Sequence, residues 1–112
     1  MKIVLKDNTE VQIAQATYDG HYVVNCNNRA AYDAIWDNFT TANLEDFKLI
    51  DDNNKIALRV LNIRLNSTQA ILNPDNTVTG HFYFSGGMTM PNEYETAGRI
   101  LLGEEEGTTE WA

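Results

Sequence analysis

The chain has 112 residues and a mass of 12.6 kDa, which fits one domain built on one core and excludes a two-domain enzyme with its site in an interdomain cleft. Hydrophobic residues make up 43% and charged residues 21%, the balance of a folding globular chain and not of a disordered, collagenous or membrane-spanning one. Sixteen acidic against eight basic side chains give a formal charge of -8, a field that repels phosphate backbones and anionic lipid surfaces. Direct nucleic-acid and membrane partners are therefore not expected.

The opening segment, Met1-Lys2-Ile3-Val4-Leu5-Lys6, interrupts its apolar run with charge well before the roughly 7 to 15 residues of a signal-peptide core. Export by that route is not expected, and no stretch approaches the ~18 apolar residues of a membrane-spanning helix. Cys26 is the single cysteine, so an intramolecular disulfide is excluded and a small buried apolar role is expected for it. The sequons Asn38-Phe39-Thr40 and Asn66-Ser67-Thr68 lie in a chain with thirteen asparagines and carry no weight.

Residues 2 to 6 and 9 to 14 alternate, with Ile3 and Leu5 on one face, Val11 and Ile13 on another, and Asp7-Asn8 between them; the pattern predicts a β-hairpin. Tyr18-Asp19-Gly20-His21 supplies a turn in which Gly20 takes positive φ cheaply. Tyr22, Val24 and Cys26 then share a face of a third strand. The period next changes to that of a helix: Asn27 or Asn28 can cap residues 29 to 39, and Tyr32, Ile35, Trp36 and Phe39 fall at i, i+3, i+4 and i+7. This aromatic stripe is expected to be core, while residues 41 to 46 form a short helical turn or a return loop.

Extended structure is predicted again over Phe47-Lys48-Leu49-Ile50, then a turn at Asp51-Asp52-Asn53-Asn54, then residues 55 to 65. There the alternation of Ile56, Leu58 and Val60 gives way to that of Leu61, Ile63 and Leu65. Such a phase switch marks a bulge or a strand crossing between two packing environments. Residues 67 to 72 and 77 to 84 flank Asn73-Pro74-Asp75-Asn76, in which proline presets φ and Asn76 suits the left-handed region. Val78, Phe82 and Phe84 should face the core, and Gly80 should leave room there for a bulky neighbour such as Trp36.

Ser85-Gly86-Gly87 reads as a joint. Beyond it, Asn92 with Glu95 resembles a cap and its reciprocal partner opening a helix that Gly103 would close near Leu102. Residues 1 to 86 hold ten acids and seven bases, whereas residues 87 to 112 hold six acids and one base. The reading is thus an α+β fold, mainly antiparallel β-sheet of about six strands in βββ-α-βββ order packed on one amphipathic helix. A single domain over 1 to 86 precedes an acidic C-terminal arm over 87 to 112, helical or extended.

Chemistry is sparse. His21 and His81 are the only imidazoles, each on the face of its strand opposite the apolar set, at an unspecified separation from one another and from Cys26. No nucleophile elbow, glycine-rich phosphate loop or His-Glu-x-x-His is present. Asp51-Asp52-Asn53-Asn54 and Asp75-Asn76 lack the ligand spacing of a calcium loop and read as turns, and Asp33 and Asp37 read as a polar helix face. No catalytic residue, metal or cofactor is assigned. Met88, Met90, Tyr94, Ile100, Leu101, Leu102 and Trp111 make the C-terminal arm too apolar for a mere solubility tail, and they need a surface to cover them.

The opening Met1-Lys2-Ile3-Val4-Leu5-Lys6-Asp7, Thr17-Tyr18-Asp19-Gly20, and Asn73-Pro74-Asp75-Asn76-Thr77-Val78-Thr79-Gly80-His81-Phe82-Tyr83 together resemble small uncharacterised proteins encoded by phages and prophages of low-GC Gram-positive bacteria, over about residues 1 to 84. The resemblance implies a viral gene product that works in the bacterial host cytoplasm during infection or in the virion. The expected function is a non-enzymatic protein-interaction module, a virion-associated or assembly component. It docks on a protein partner or a second copy through Met88, Met90, Tyr94, Leu101, Glu104, Glu105, Glu106 and Trp111. The alternative is an acidic inhibitor of a host defence or nucleic-acid-handling protein, with carboxylates standing in for phosphates. Nucleotide sequestration through Arg29, Arg59, Arg64 and Arg99 ranks last.

Overall fold

The computed structural model describes residues 1–17 and 19–90. The first expected hairpin forms from β1 (Lys2–Val4) and β2 (Glu10–Gln12), antiparallel with Ile3 opposite Val11. Its turn places Asn8 at φ 70, a geometry asparagine tolerates better than most residues, and the Asp7 carboxylate accepts the Thr9 amide at 2.9 Å. The strand expected over 9 to 14 stops early. The Ile13 amide bonds the Met1 carbonyl, whereas the next amide, that of Ala14, bonds the Val23 carbonyl. Between those two residues the chain leaves one sheet for another, and it continues as β3 (Gln15–Ala16).

β4 (His21–Cys26) follows a turn with Gly20 at φ 101, where an added Cβ would stand 2.2 Å from the Phe84 carbonyl oxygen. Asn28 caps the helix α1 (Arg29–Asp37), its side chain accepting the Ala31 amide at 2.8 Å. The helix ends two residues short of the expected Phe39 because the Asn38 and Phe39 amides reach back only three residues, to Ile35 and Trp36. A short 3-10 turn (Asn43–Glu45) leads into β5 (Asp46–Ile50) and β6 (Ile56–Leu61). The hairpin of β7 (Arg64–Leu72) and β8 (Val78–Ser85) turns through Asn76 at φ 70, and β9 (Met88–Thr89) closes the described chain.

These strands form two antiparallel sheets, ordered β2-β1-β5-β6-β9 and β3-β4-β8-β7. The α+β class, mainly antiparallel with one helix, matches the sequence reading. The strand count does not: among the described residues there are nine strands, four before the helix and five after it, instead of about six divided three and three. The chain changes sheet between Ile13 and Ala14, again at Asn62 (φ 58), and again at Gly86 and Gly87 (φ 74 and 76). The first two changes divide what reads as continuous extended sequence, and the third falls at the glycine joint.

The two sheets meet through aromatic side chains. The Phe47 ring of β5 lies 5.3 Å from that of Tyr22 on β4 and 5.1 Å from that of Phe84 on β8. The helix covers the rest of the inner face of the four-stranded sheet, with Tyr32 5.5 Å and Phe39 5.0 Å from Phe82. Val78, Phe82 and Phe84 point inward as expected. Gly80 makes room for Tyr32 and not for Trp36: a Cβ there would lie 2.9 Å from the Tyr32 ring, while Trp36 is 46% exposed. Tyr32, Ile35 and Phe39 fill the helix–sheet contact, and Trp36 is left on its rim, a correction to the all-core stripe. Among the described residues no helix is long and apolar enough to cross a membrane.

Candidate functional site

β7 borders the four-stranded sheet, paired with β8 on one side and with no strand on the other among the described residues. A bare edge presents unpaired amides and carbonyls, and proteins normally blunt it with charge, proline or brevity. β7 spans nine residues. Its only charge, Arg64, stands at its start, where a register shift between Leu65 and Ser67 separates it from the rest. The regular stretch Ser67-Thr68-Gln69-Ala70-Ile71-Leu72 holds neither charge nor proline.

Alternation sends the side chains of this edge to two surfaces. Leu72, opposite Val78, turns toward the helix and is 71% exposed. It helps wall a groove of about 380 Å³ together with Tyr32, Trp36, Ala70 and Val78, with Arg29 and Asp33 on the helix side. Ile71, opposite Thr79, turns to the outer face and is 42% exposed. The Tyr32 hydroxyl meets that of Thr68, and Thr68 also bonds the His81 carbonyl at 2.8 Å. The helix is thereby tied to the edge strand at the groove's inner end.

On the outer face of the same sheet, His21 and His81 come together, a juxtaposition the sequence left open. Nε2 of His21 lies 2.9 Å from Nδ1 of His81. The near-parallel rings, 24° apart with centroids 5.2 Å apart, are arranged edge to edge around that bond. The Tyr83 ring stacks on His21 at 4.5 Å and 12°. Cys26 is buried on the opposite, inner face, so the thiol and the imidazoles are on different sides of the sheet. Burial pushes the Cys26 thiol above its ordinary pKa.

Several other polar groups among the described residues pair within the scaffold. The Arg59 guanidinium grips Asp46 with two bonds, Nε to Oδ1 at 2.9 Å and a terminal nitrogen to Oδ2 at 3.0 Å. Those bonds, with Lys48 at 3.7 Å, hold the Asp46 carboxyl below the usual range against the opposing effect of burial. Asp51 accepts the Asn53 and Lys55 amides, and Asp75 accepts that of Thr77, so these carboxylates close turns. Among the described residues no three or more His, Cys, Asp or Glu side chains converge. Of the arginines considered for a nucleotide, Arg59 is engaged by Asp46, Arg29 lines the groove, and Arg64 stands beside Gly86.

Of the expected docking residues, Met88 lies in β9 and is 65% exposed, and Met90 is half-buried against the core with its amide on the Arg59 carbonyl at 3.0 Å. The arm's first described residues therefore complete the five-stranded sheet, next to β6. Tyr94, Leu101, Glu104, Glu105, Glu106 and Trp111, like the expected helix from Asn92 and Arg99, lie outside the described residues. Sequence reasoning missed the β7 edge. Its one local signal is an uncharged stretch ending in two adjacent large apolar residues, and only strand order places that stretch at a border. Comparison with family models, with curated proteins and with solved structures finds no match.

Proposed function

We propose that the chain is a non-enzymatic protein-interaction module that docks by accepting a partner's extended segment along β7, with the partner's side chains entering the groove between β7 and α1. The observation that carries this reading is the uncharged, proline-free edge Ser67 to Leu72, exposed beside Trp36 and Leu72. Strand addition of this kind draws affinity from main-chain hydrogen bonds and specificity from pockets for alternate side chains, and here both features adjoin. The acidic stretch after Met90 is a second docking element in the same proposal, and the place of action is the phage assembly that the sequence resemblance implies.

The test compares captured partners of three proteins: the full chain, a chain ending at Met90, and the full chain carrying Ile71→Lys. Ile71 faces solvent on the outer side of the edge, so lysine there puts a charge on the edge that disfavours strand addition while sparing the core. The expected outcome is a bound set lost in Ile71→Lys and weakened in the shortened chain. A bound set indifferent to Ile71→Lys overturns the edge as the docking element, and one indifferent to both changes overturns the interaction reading as a whole.

A further inference from the structure

The docking reading leaves the outer-face imidazole pair without a role. His21 stands opposite Tyr83 and His81 opposite Val23, so the two histidines are diagonal neighbours on the β4–β8 ladder and sheet register sets their spacing. That spacing is informative. Two imidazole nitrogens bound to one Zn²⁺ at about 2.0–2.1 Å lie roughly 2.9–3.4 Å apart for coordination angles between about 90° and 109°, and Nε2 of His21 is 2.9 Å from Nδ1 of His81.

Without an ion, one facing nitrogen carries a hydrogen and the other accepts it. In the other pair of tautomers both facing nitrogens are bare and two lone pairs oppose each other, an arrangement that a cation between them stabilises. A rotation of each ring by roughly 35–45° then aims both lone pairs at one point. The Tyr83 ring stacks on His21, and both histidines are only half-buried, so the facing nitrogens lie on a sheet face where water can reach an ion.

We propose that His21 and His81 chelate one first-row divalent transition-metal ion, Zn²⁺ or Cu²⁺ in class, with water completing the coordination. Imidazole nitrogen suits these ions, whereas Ca²⁺ and Mg²⁺ require oxygen ligands that the pair does not offer.

Titration calorimetry of tag-free full-length protein with ZnCl₂ tests this, with His21→Gln, His81→Gln and a third variant, Glu104→Gln with Glu105→Gln and Glu106→Gln, run alongside. One ion per chain is expected, with affinity falling at least about tenfold in each histidine variant and unchanged in the glutamate variant. With CuCl₂, electron paramagnetic resonance should show two nitrogen ligands in the parent and fewer in either histidine variant. Circular dichroism verifies that both histidine variants fold. Absence of binding, binding that survives His21→Gln and His81→Gln, or binding lost on neutralising the glutamates would overturn the proposal.

Discussion

The Tyr32 hydroxyl donates to Thr68. The Thr68 hydroxyl has one hydrogen, which goes to the His81 carbonyl at 2.8 Å, so across the Tyr32–Thr68 contact the tyrosine supplies the proton and the threonine oxygen receives it. This chain of two bonds runs from α1 through the edge strand to the neighbouring strand. Tyr32→Phe keeps the ring against Phe82 and Gly80 but removes one bond, at a cost of about 1 kcal/mol in urea unfolding. Amide exchange should quicken along Ser67 to Leu72 more than in β4; uniform quickening would mean that the bond does not anchor the edge.

Gly80 is required for space. A methyl group there meets the Tyr32 ring at 2.9 Å, and the ring is wedged between the sheet and the rest of α1. Gly80→Ala should cost about 1–3 kcal/mol through overpacking. Combining it with Tyr32→Leu should recover part of that loss, since the two changes share one cavity. Equal costs in both backgrounds would place the strain elsewhere.

Asp46 gives the fold an acid-sensitive component. Its pKa is lower in the folded chain than in the unfolded one, chiefly because Arg59 bonds the ionised carboxylate. Its stabilisation is therefore complete above the unfolded carboxylate range near about 4 and is lost as pH falls through the folded value. Asp46→Asn should cost about 1 kcal/mol at neutral pH and close to nothing once the parent carboxyl is protonated. Unfolding curves of both proteins down through acid pH should converge; a constant gap would assign the loss to packing.

Cys26 should resist thiol reagents in the folded state, because burial raises its pKa and leaves little thiolate. Reaction with a disulfide reagent should rise along the same urea curve as unfolding. Fast reaction before the transition would reveal local opening of β4 near its end.

The boundary of the arm can be tested by where the chain is cut. Ending it at Gly86 removes β9 and uncovers the edge of β6 at Val60 and Leu61, and should cost about 1–2 kcal/mol. Ending it at Met90 keeps those pairings and should leave the unfolding midpoint close to that of the full chain. Equal stability of the two shortened chains would make β9 dispensable.

Local chemistry made several elements legible. The helix start at Asn28, the positive φ of Gly20 and Asn76, and the inward set Tyr22, Val24, Cys26, Val78, Phe82 and Phe84 all follow from residues within a few positions of one another. The crossing near Leu61 also showed, because the left-handed Asn62 breaks the alternation. The crossing at Ile13–Ala14 did not. A strand that passes between two facing sheets keeps its apolar side toward their shared core, so Val11 and Ile13 alternate as if no change of partner followed.

The sequence by itself determined which faces are apolar, where the turns fall, and that acidity gathers toward the C-terminus. Strand order and register were decided only by the tertiary structure, and with them the three features on which the proposals rest: the place of β7 at a sheet border among the described residues, the exposure of Trp36, and the meeting of His21 with His81. The physical reason is that periodicity reports what a residue faces but not which strand lies beside it. Strand pairing depends on contacts between segments far apart in the chain, and those contacts form only when the whole core is buried together.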